Sequence, residues 1–194
     1  MDAPLGLTQE AVQEFVNAAH GDLPKLQALL GASPGLLNAR YEEWNETALE
    51  AASHMGARQI AEYLLSQGAP LTICTAAMLG QAGRAAEFLA ADPAQAQAKG
   101  AHGIPVLFHA AISGDTNIAE MLVAQGSTGL DAALQGAVGF GLYDMTQWLL
   151  ERGADANVPN WEGKTALRVA LESGDERLAE LLREHGGEED PGTC

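Results

Sequence analysis

The chain has 194 residues, of which 26 are acidic and 10 are basic, and its formal net charge is −16. Its 47% share of apolar residues and 19% share of charged residues are typical of a folded protein and argue against wholesale disorder. A surface this acidic repels phosphate groups, so we expect neither nucleic acid nor a membrane as a partner. No apolar stretch reaches the roughly 20 residues of a membrane span. The first residues also lack the basic charge of a secretory signal, so we expect a cytoplasmic protein.

One glycine recurs in a fixed setting along the chain and divides it into six units. Eight residues after each of these glycines stands a leucine or a phenylalanine, and three residues before it stands a small or apolar residue. The glycines are Gly21, Gly56, Gly80, Gly114, Gly141 and Gly174. Repetition of this kind is typical of stacked repeats, in which no unit can bury its apolar face alone.

Each unit is predicted to be two short helices joined at the glycine. In the second unit, an alanine-rich segment at 47–55 precedes Gly56, and an amphipathic segment at 58–65 follows it. Apolar residues at helical spacing predict a helix on both sides, and a glycine is favoured where a positive φ ends the first helix. The expected units are 8–40, 41–70, 71–98, 99–127, 128–158 and 159–187, between tails at 1–7 and 188–194.

A turned segment is predicted between some of the units. Residues 153–164 contain the turn formers Asn160 and Gly163 ahead of a helix that begins near Thr165. Successive glycines lie 35, 24, 34, 27 and 33 residues apart, and the two short spacings leave no room for such a segment. We call these turned segments fingers, and we expect a first finger at 38–46, a second at 98–104 and a third at 155–164. We expect no full hairpin at 68–72 or 126–131.

These segments resemble the ankyrin repeat. The last unit carries Gly153-Ala-Asp-Ala-Asn and then Gly163-Lys-Thr-Ala-Leu, and the second unit carries Thr47-Ala-Leu and Gly68-Ala69. The resemblance covers about residues 8–187. It implies an all-α ankyrin-repeat solenoid of about six helix-turn-helix units, with hairpin-like fingers fully formed at only some junctions.

The resemblance also implies a function, because ankyrin-like arrays bind other proteins along a concave surface of finger tips and first helices. We therefore expect a non-enzymatic protein-interaction module that binds a partner protein through its concave groove. Matching the motif offsets gives candidate contact residues on the fingers at Tyr41, Glu43, Trp44, Glu46, His102, Ile104, Trp161, Glu162 and Lys164. On the first helices the candidates are His54, Met55, Ile112, Ser113, Phe140 and Glu172.

The candidate contact residues combine aromatic and apolar side chains with acidic ones. A partner with basic residues around apolar anchors would be complementary to them, and we expect the chain itself to be a monomer. Trp44 and Trp161 both fall on fingers, where exposed aromatic rings are typical of binding hot spots. The alternative, in which each indole folds over its own finger, stays open. Trp148 precedes Leu149 in a second helix and is expected to lie in the core.

The sequence contains no nucleophile elbow, no phosphate-binding loop and no paired-cysteine zinc pattern. Glu50 and His54 stand four residues apart and could face the same way as two metal ligands, but no third ligand has a diagnostic spacing. We interpret them as a solvated helical pair, and His109 as a hydrogen-bonded interface residue. We predict no catalytic residue, metal or cofactor. The alternative is a small metal-dependent or hydrolytic enzyme, or a ligand-binding protein, built on the same solenoid.

Overall fold

A computed structural model describes residues 7–189 of the chain. Within this range, the polypeptide forms twelve α-helices and one two-stranded sheet. The helices are α1 (Gln9–Ala19), α2 (Leu23–Ala32), α3 (Ala48–His54), α4 (Arg58–Ser66), α5 (Ile73–Met78), α6 (Ala82–Ala91), α7 (Val106–Ser113), α8 (Thr116–Ala124), α9 (Leu130–Gly139), α10 (Tyr143–Glu151), α11 (Ala166–Ser173) and α12 (Glu176–Glu184). Each odd-numbered helix packs against the even-numbered helix that follows it. The predicted all-α solenoid of six helical pairs is confirmed.

The first helices of the six units stack on one another in chain order, from α1 to α11. Small side chains make this stacking close, and Ala51, Ala110 and Ala137 are fully buried in it. The second helices contribute larger apolar groups, of which Leu64 and Leu149 are fully buried. Alanines therefore set the distance between units, and leucines fill the space behind them.

The recurring glycine ends the first helix in the expected way in five of the six units. Gly56, Gly80, Gly114, Gly141 and Gly174 have φ values between 64° and 77°, in the left-handed region that glycine adopts without a steric cost.

The prediction is wrong at Gly21, which does not have a positive φ. There the amides of Gly21 and Asp22 both donate to the carbonyl of Ala18, at 3.2 and 2.8 Å. The Asp22 side chain then caps α2 by accepting from the amide of Lys25. The chain can therefore turn between α1 and α2 without the left-handed residue that the other units use.

The three fingers differ in how far they are formed. In the first, strands β1 (Arg40–Tyr41) and β2 (Glu46–Thr47) pair in antiparallel register. The second has one bridge, between Lys99 and Pro105. The third is closed by a hydrogen bond from the Asn160 amide to the Lys164 carbonyl, at 2.8 Å. No strand lies at 68–72 or 126–131, both within the described range, so fingers formed at only some junctions are confirmed.

The third unit has a short first helix, because α5 has only six residues, all of them buried. The Arg58 guanidinium covers the end of α5 by donating to the carbonyls of Met78 and Leu79, at 2.9 and 2.6 Å. His109 on α7 reaches past this short helix and donates from Nδ1 to the Ser53 carbonyl of α3, at 3.3 Å. The prediction that His109 is a hydrogen-bonded interface residue is thereby confirmed.

Two further observations complete the fold. Trp148 is half-buried, with the Arg152 guanidinium 3.8 Å from the centre of its ring, so it lies at the edge of the core rather than inside it. None of the helices in residues 7–189 combines the length and the apolar character that crossing a bilayer requires.

Candidate functional site

The ends of several first helices meet and leave apolar side chains in contact with solvent. Met55 and Phe140 are 46% and 47% exposed. They belong to different units, but a Cβ atom built on Gly56 would lie only 2.8 Å from the Phe140 ring, so the two units meet at this point. Ile112 lies beside them, and its own side chain is buried. We call Met55, Gly56, Ile112 and Phe140 the apolar patch.

The two finger tryptophans have opposite surroundings. Trp44 is half-buried, with its ring edge-on to Tyr41 at 5.1 Å and to His20 at 6.2 Å between centroids. The Tyr41 hydroxyl in turn donates to Glu43 at 2.5 Å. Trp161 is 91% exposed. The alternative that the indole folds over its own finger therefore holds for Trp44, and the exposed indole expected of a binding finger is found at Trp161.

The other candidates on the third finger form an exposed ionic network. Lys164 Nζ lies 2.9 Å from Glu162 and 2.8 Å from Glu172, and Arg168 Nε lies 2.9 Å from Glu172. The hydrogen bonds from Arg168 and then Lys164 lower the pKa of Glu172. Those to Glu172 and then Glu162 raise the pKa of Lys164. Because exposed ion pairs are screened by water, the network contributes mainly to the charge pattern of this face.

Two candidates of the fourth unit, Ser113 on α7 and Ile104 on the second finger, have structural neighbours of their own. The Ser113 hydroxyl donates to the Ala110 carbonyl at 2.7 Å and accepts from the Asp115 amide at 3.1 Å, which closes the end of α7. Ile104 is half-buried at the base of the second finger. Both side chains are partly accessible beside the groove.

A second feature, at the ends of the first helices and on the first two fingers, is a cluster of three histidines around one carboxylate. Glu46, on β2, is completely buried. Its carboxylate oxygens lie 3.2 Å from His54 Nε2, 3.5 Å from His102 Nε2 and 3.9 Å from His20 Nε2. We call these four residues the histidine cluster. They come from α3, from the first and second fingers and from the residue that ends α1.

Burial dominates the electrostatics of the histidine cluster. It raises the pKa of Glu46, against the opposing charges of His102 and His20. It also lowers the pKa of His54 to about 4, with smaller contributions from the neighbouring histidines. Neither carboxylate oxygen of Glu46 has an aligned hydrogen bond, and neither does the buried His54 Nε2. Two buried polar groups, the Glu46 carboxylate and His54 Nε2, therefore have no hydrogen-bond partner of ordinary geometry.

The interpretation of Glu50 and His54 as a helical pair is wrong. Glu50 instead completes a capping box with Thr47, accepting from its amide at 2.8 Å, and pairs with Arg40 at 3.1 Å. The carboxylate beside His54 is Glu46, four residues earlier in the chain than Glu50. The motif offsets placed Glu46, His54 and His102 near the groove, but no spacing indicated that His20 joins them or that Glu46 is inaccessible to a partner.

A cavity of about 280 Å³ is lined by residues of α3, α5 and α7 and has Cys74 and His109 in its wall. Burial raises the pKa of the Cys74 thiol to about 12 and lowers that of His109 to about 4. At neutral pH the two groups are therefore a thiol and a neutral imidazole. An unactivated thiol of this kind is a poor nucleophile.

Comparison with known proteins places this architecture in a family. A model of the ankyrin repeat matches residues 44–76, and a model of three ankyrin repeats matches residues 107–192. A putative ankyrin repeat-containing protein of Treponema pallidum (strain Nichols) is 36% identical over 96 residues, which cover 45% of this chain and 32% of the relative. Human cyclin-dependent kinase 4 inhibitor B is 43% identical over 68 residues, covering 34% and 49%. The matches thus span about a third of the first relative and about half of the second. With six stacked helical pairs, left-handed glycines and a partial set of fingers, the chain belongs to the ankyrin repeat family.

Proposed function

We propose that this protein is a non-enzymatic interaction module that binds a partner protein through its concave groove. The observation that carries the proposal is the exposure of Met55, Phe140 and Trp161 on first-helix ends and a finger. Large apolar side chains are costly to leave in water, and aromatic anchors dominate the energetics of protein interfaces. The name of one relative supports such a role, since it describes an inhibitor of cyclin-dependent kinase 4.

The charge of the groove indicates the chemistry of the partner. Glu43 on the first finger and Glu162 on the third are exposed, and the whole chain carries a net charge of −16. A complementary surface would carry basic residues around apolar groups that fill the space beside Phe140 and Trp161. A monomeric chain in the cytoplasm, without catalytic activity, is part of the same proposal.

Affinity capture from a lysate of the source organism tests this function. Wild type is compared with a Phe140→Ser/Trp161→Ala variant, and captured proteins are identified by mass spectrometry. Both side chains are exposed, so circular dichroism should show a folded variant. A Gln59→Ala/Gln125→Ala variant is the matched control, because these residues are exposed on the second-helix side.

We expect at least one protein to be retained by wild type and by the control, and lost from the groove variant. A single hot-spot side chain is worth about 2 kcal/mol or more, so loss of two should weaken binding at least a hundredfold. If the folded groove variant retains the same proteins as wild type, the groove is not the working surface.

A further inference from the structure

We propose that the histidine cluster is a binding site for one divalent transition-metal ion of the zinc class. His20, Glu46 and His54 each offer a ligand atom, and these atoms all lie within 4.8 Å of one another. His102 provides a fourth, with its Nε2 3.5 Å from Glu46. The proposal is independent of the partner-binding function, because it rests on other atoms.

The type and the spacing of the donors select the ion. Three imidazole nitrogens and one carboxylate favour zinc and related ions over calcium or magnesium, which prefer oxygen ligands. Ligands about 2.0–2.1 Å from a tetrahedral zinc ion stand about 3.3 Å apart. Glu46 Oε1 lies 3.2 Å from His54 Nε2, and Glu46 Oε2 lies 3.5 Å from His102 Nε2 and 3.9 Å from His20 Nε2, which are all close to that spacing. Small rotations of the side chains would complete the geometry.

The hydrogen bonds of His20 make it a ready ligand. Its Nδ1 lies 3.0 Å from the Val16 carbonyl, and because a carbonyl can only accept, Nδ1 must carry the proton. In the neutral ring, Nε2 then presents a bare lone pair toward the Glu46 carboxylate. Metal-binding histidines are held in the same way, by donating their other ring nitrogen to a carbonyl or carboxylate.

Glu46 supplies an independent indication that something is bound here. Its side chain is 0% exposed, and both of its oxygens lack an aligned hydrogen bond. A buried carboxylate that accepts no aligned hydrogen bond is costly, and a buried charge is normally paired or coordinates a metal. The ligand atoms of His20, Glu46 and His54 lie within 4.8 Å of one another, so one cation between them would give both the Glu46 carboxylate and His54 Nε2 a partner.

The site would join parts of the array that are distant in sequence. His20 ends the first helix of the first unit, His54 ends that of the second, and His102 lies on the second finger. His102 is 44% exposed on its side chain and gives access from solvent, whereas His54 is 10% exposed. A bound ion would therefore stabilise the packing of the first units, because only the folded chain brings the four ligands together.

The test is zinc binding to metal-free protein, measured by isothermal titration calorimetry, with Co²⁺ absorption to report tetrahedral coordination. All proteins carry Cys194→Ser, which removes the terminal thiol as a competing ligand. The variants are His20→Gln, Glu46→Gln, His54→Gln and His102→Gln. The matched control is His185→Gln, because His185 Nδ1 also bonds a carbonyl four residues earlier, Leu181 at 2.9 Å, but lies outside the cluster.

We expect one zinc ion per chain, a higher Tm with zinc and a tetrahedral Co²⁺ spectrum. His20→Gln, Glu46→Gln and His54→Gln should each lower the zinc affinity at least tenfold. His102→Gln should lower it less, because this ligand is the most exposed. His185→Gln should bind as wild type does. Circular dichroism shows which variants fold; His102→Gln alters a half-exposed loop and keeps the test valid if a buried variant unfolds.

The proposal is overturned if wild type shows no saturable zinc binding at micromolar concentration. It is also overturned if His185→Gln reduces binding as much as the cluster variants do, or if the folded cluster variants bind as tightly as wild type.

Discussion

At the scale of single residues, the two finger tryptophans differ in their exposure to solvent although they occupy equivalent positions on their fingers. Trp44 packs edge-on against Tyr41 and His20, whereas Trp161 projects into solvent. The difference follows from their neighbours. The first finger has a buried tyrosine and a helix end beside it, and the third finger has charged side chains around Lys164.

This difference predicts unequal effects on stability. Trp44→Ala should lower the free energy of unfolding by about 2 kcal/mol, because it removes two aromatic contacts and part of a packed surface. Trp161→Ala should change it by less than about 0.5 kcal/mol, as exposed substitutions usually do. Urea unfolding of both variants in one buffer measures the two values. Equal losses would contradict the exposure of Trp161.

His109 predicts a dependence of stability on pH. Burial lowers its pKa from 6.5 to about 4 in the folded chain. Between these pH values the unfolded chain binds more protons at His109 than the folded chain does. The contribution of the neutral His109 to stability is therefore fully present above pH 6.5 and is lost as the pH falls toward 4. The loss should be about 3 kcal/mol, from 1.36 kcal/mol for each pKa unit.

The comparison of wild type with His109→Gln isolates this effect. Glutamine can still donate to the Ser53 carbonyl but does not titrate. The free energy of unfolding, measured in metal-free buffer from pH 7 to pH 4.5, should therefore fall less steeply in the variant. Parallel curves for the two proteins would mean that His109 does not titrate differently on folding.

At the scale of the elements, the turns at Gly80 and Gly21 show the effect of backbone conformation apart from that of side-chain packing. Gly80 has a φ of 70°, and a Cβ atom there would meet nothing within 4 Å. Gly21 is equally open but lacks the positive φ. The two positions therefore differ in backbone conformation and not in available space.

Alanine at these positions gives a matched pair. Gly80→Ala should destabilise the protein by about 1 kcal/mol, because an L-residue in the left-handed region costs about 1–2 kcal/mol and the smaller unfolded-state entropy returns part of it. Gly21→Ala should be neutral or stabilise by up to about 1 kcal/mol. Thermal unfolding of both variants checks the signs. A stabilising Gly80→Ala would contradict the left-handed turn.

At the scale of the whole molecule, the core has two parts that meet at the third unit, whose first helix α5 is short. The N-terminal part includes Phe15 and Leu64, and the C-terminal part includes Leu107 and Leu149. Ile112, on α7, packs with the N-terminal part although it follows Leu107 by five residues. The two parts are thus stacked on each other through α5 and α7.

Stacked arrays can open at one end while the other stays folded. Phe15→Ala should lower the free energy of unfolding of the N-terminal part by about 3–5 kcal/mol, since Phe15 is fully buried. Hydrogen exchange by mass spectrometry should show faster exchange in residues 9–66 and little change in 130–182. Leu149→Asp, which buries a charge in the C-terminal part, should give the reverse order. A uniform rise in exchange for both variants would show that the array unfolds as one unit.

The sequence by itself determined the repeat architecture. The six units, the left-handed glycines of five of them and the junctions that bear fingers follow from spacing and from local backbone chemistry, which act over a few residues. The family resemblance pointed to the concave side and to Glu46, His54 and His102. Local signals failed at Gly21, where hydrogen bonds to one carbonyl replace the left-handed turn.

Only the tertiary structure decided what the concave side contains. His20, Glu46, His54 and His102 span more than eighty residues and meet only because α1, α3 and two fingers stack. Whether a tryptophan is covered, and which carboxylate faces His54, depends on the same stacking. These features arise from contacts between units, and no spacing within one unit encodes them.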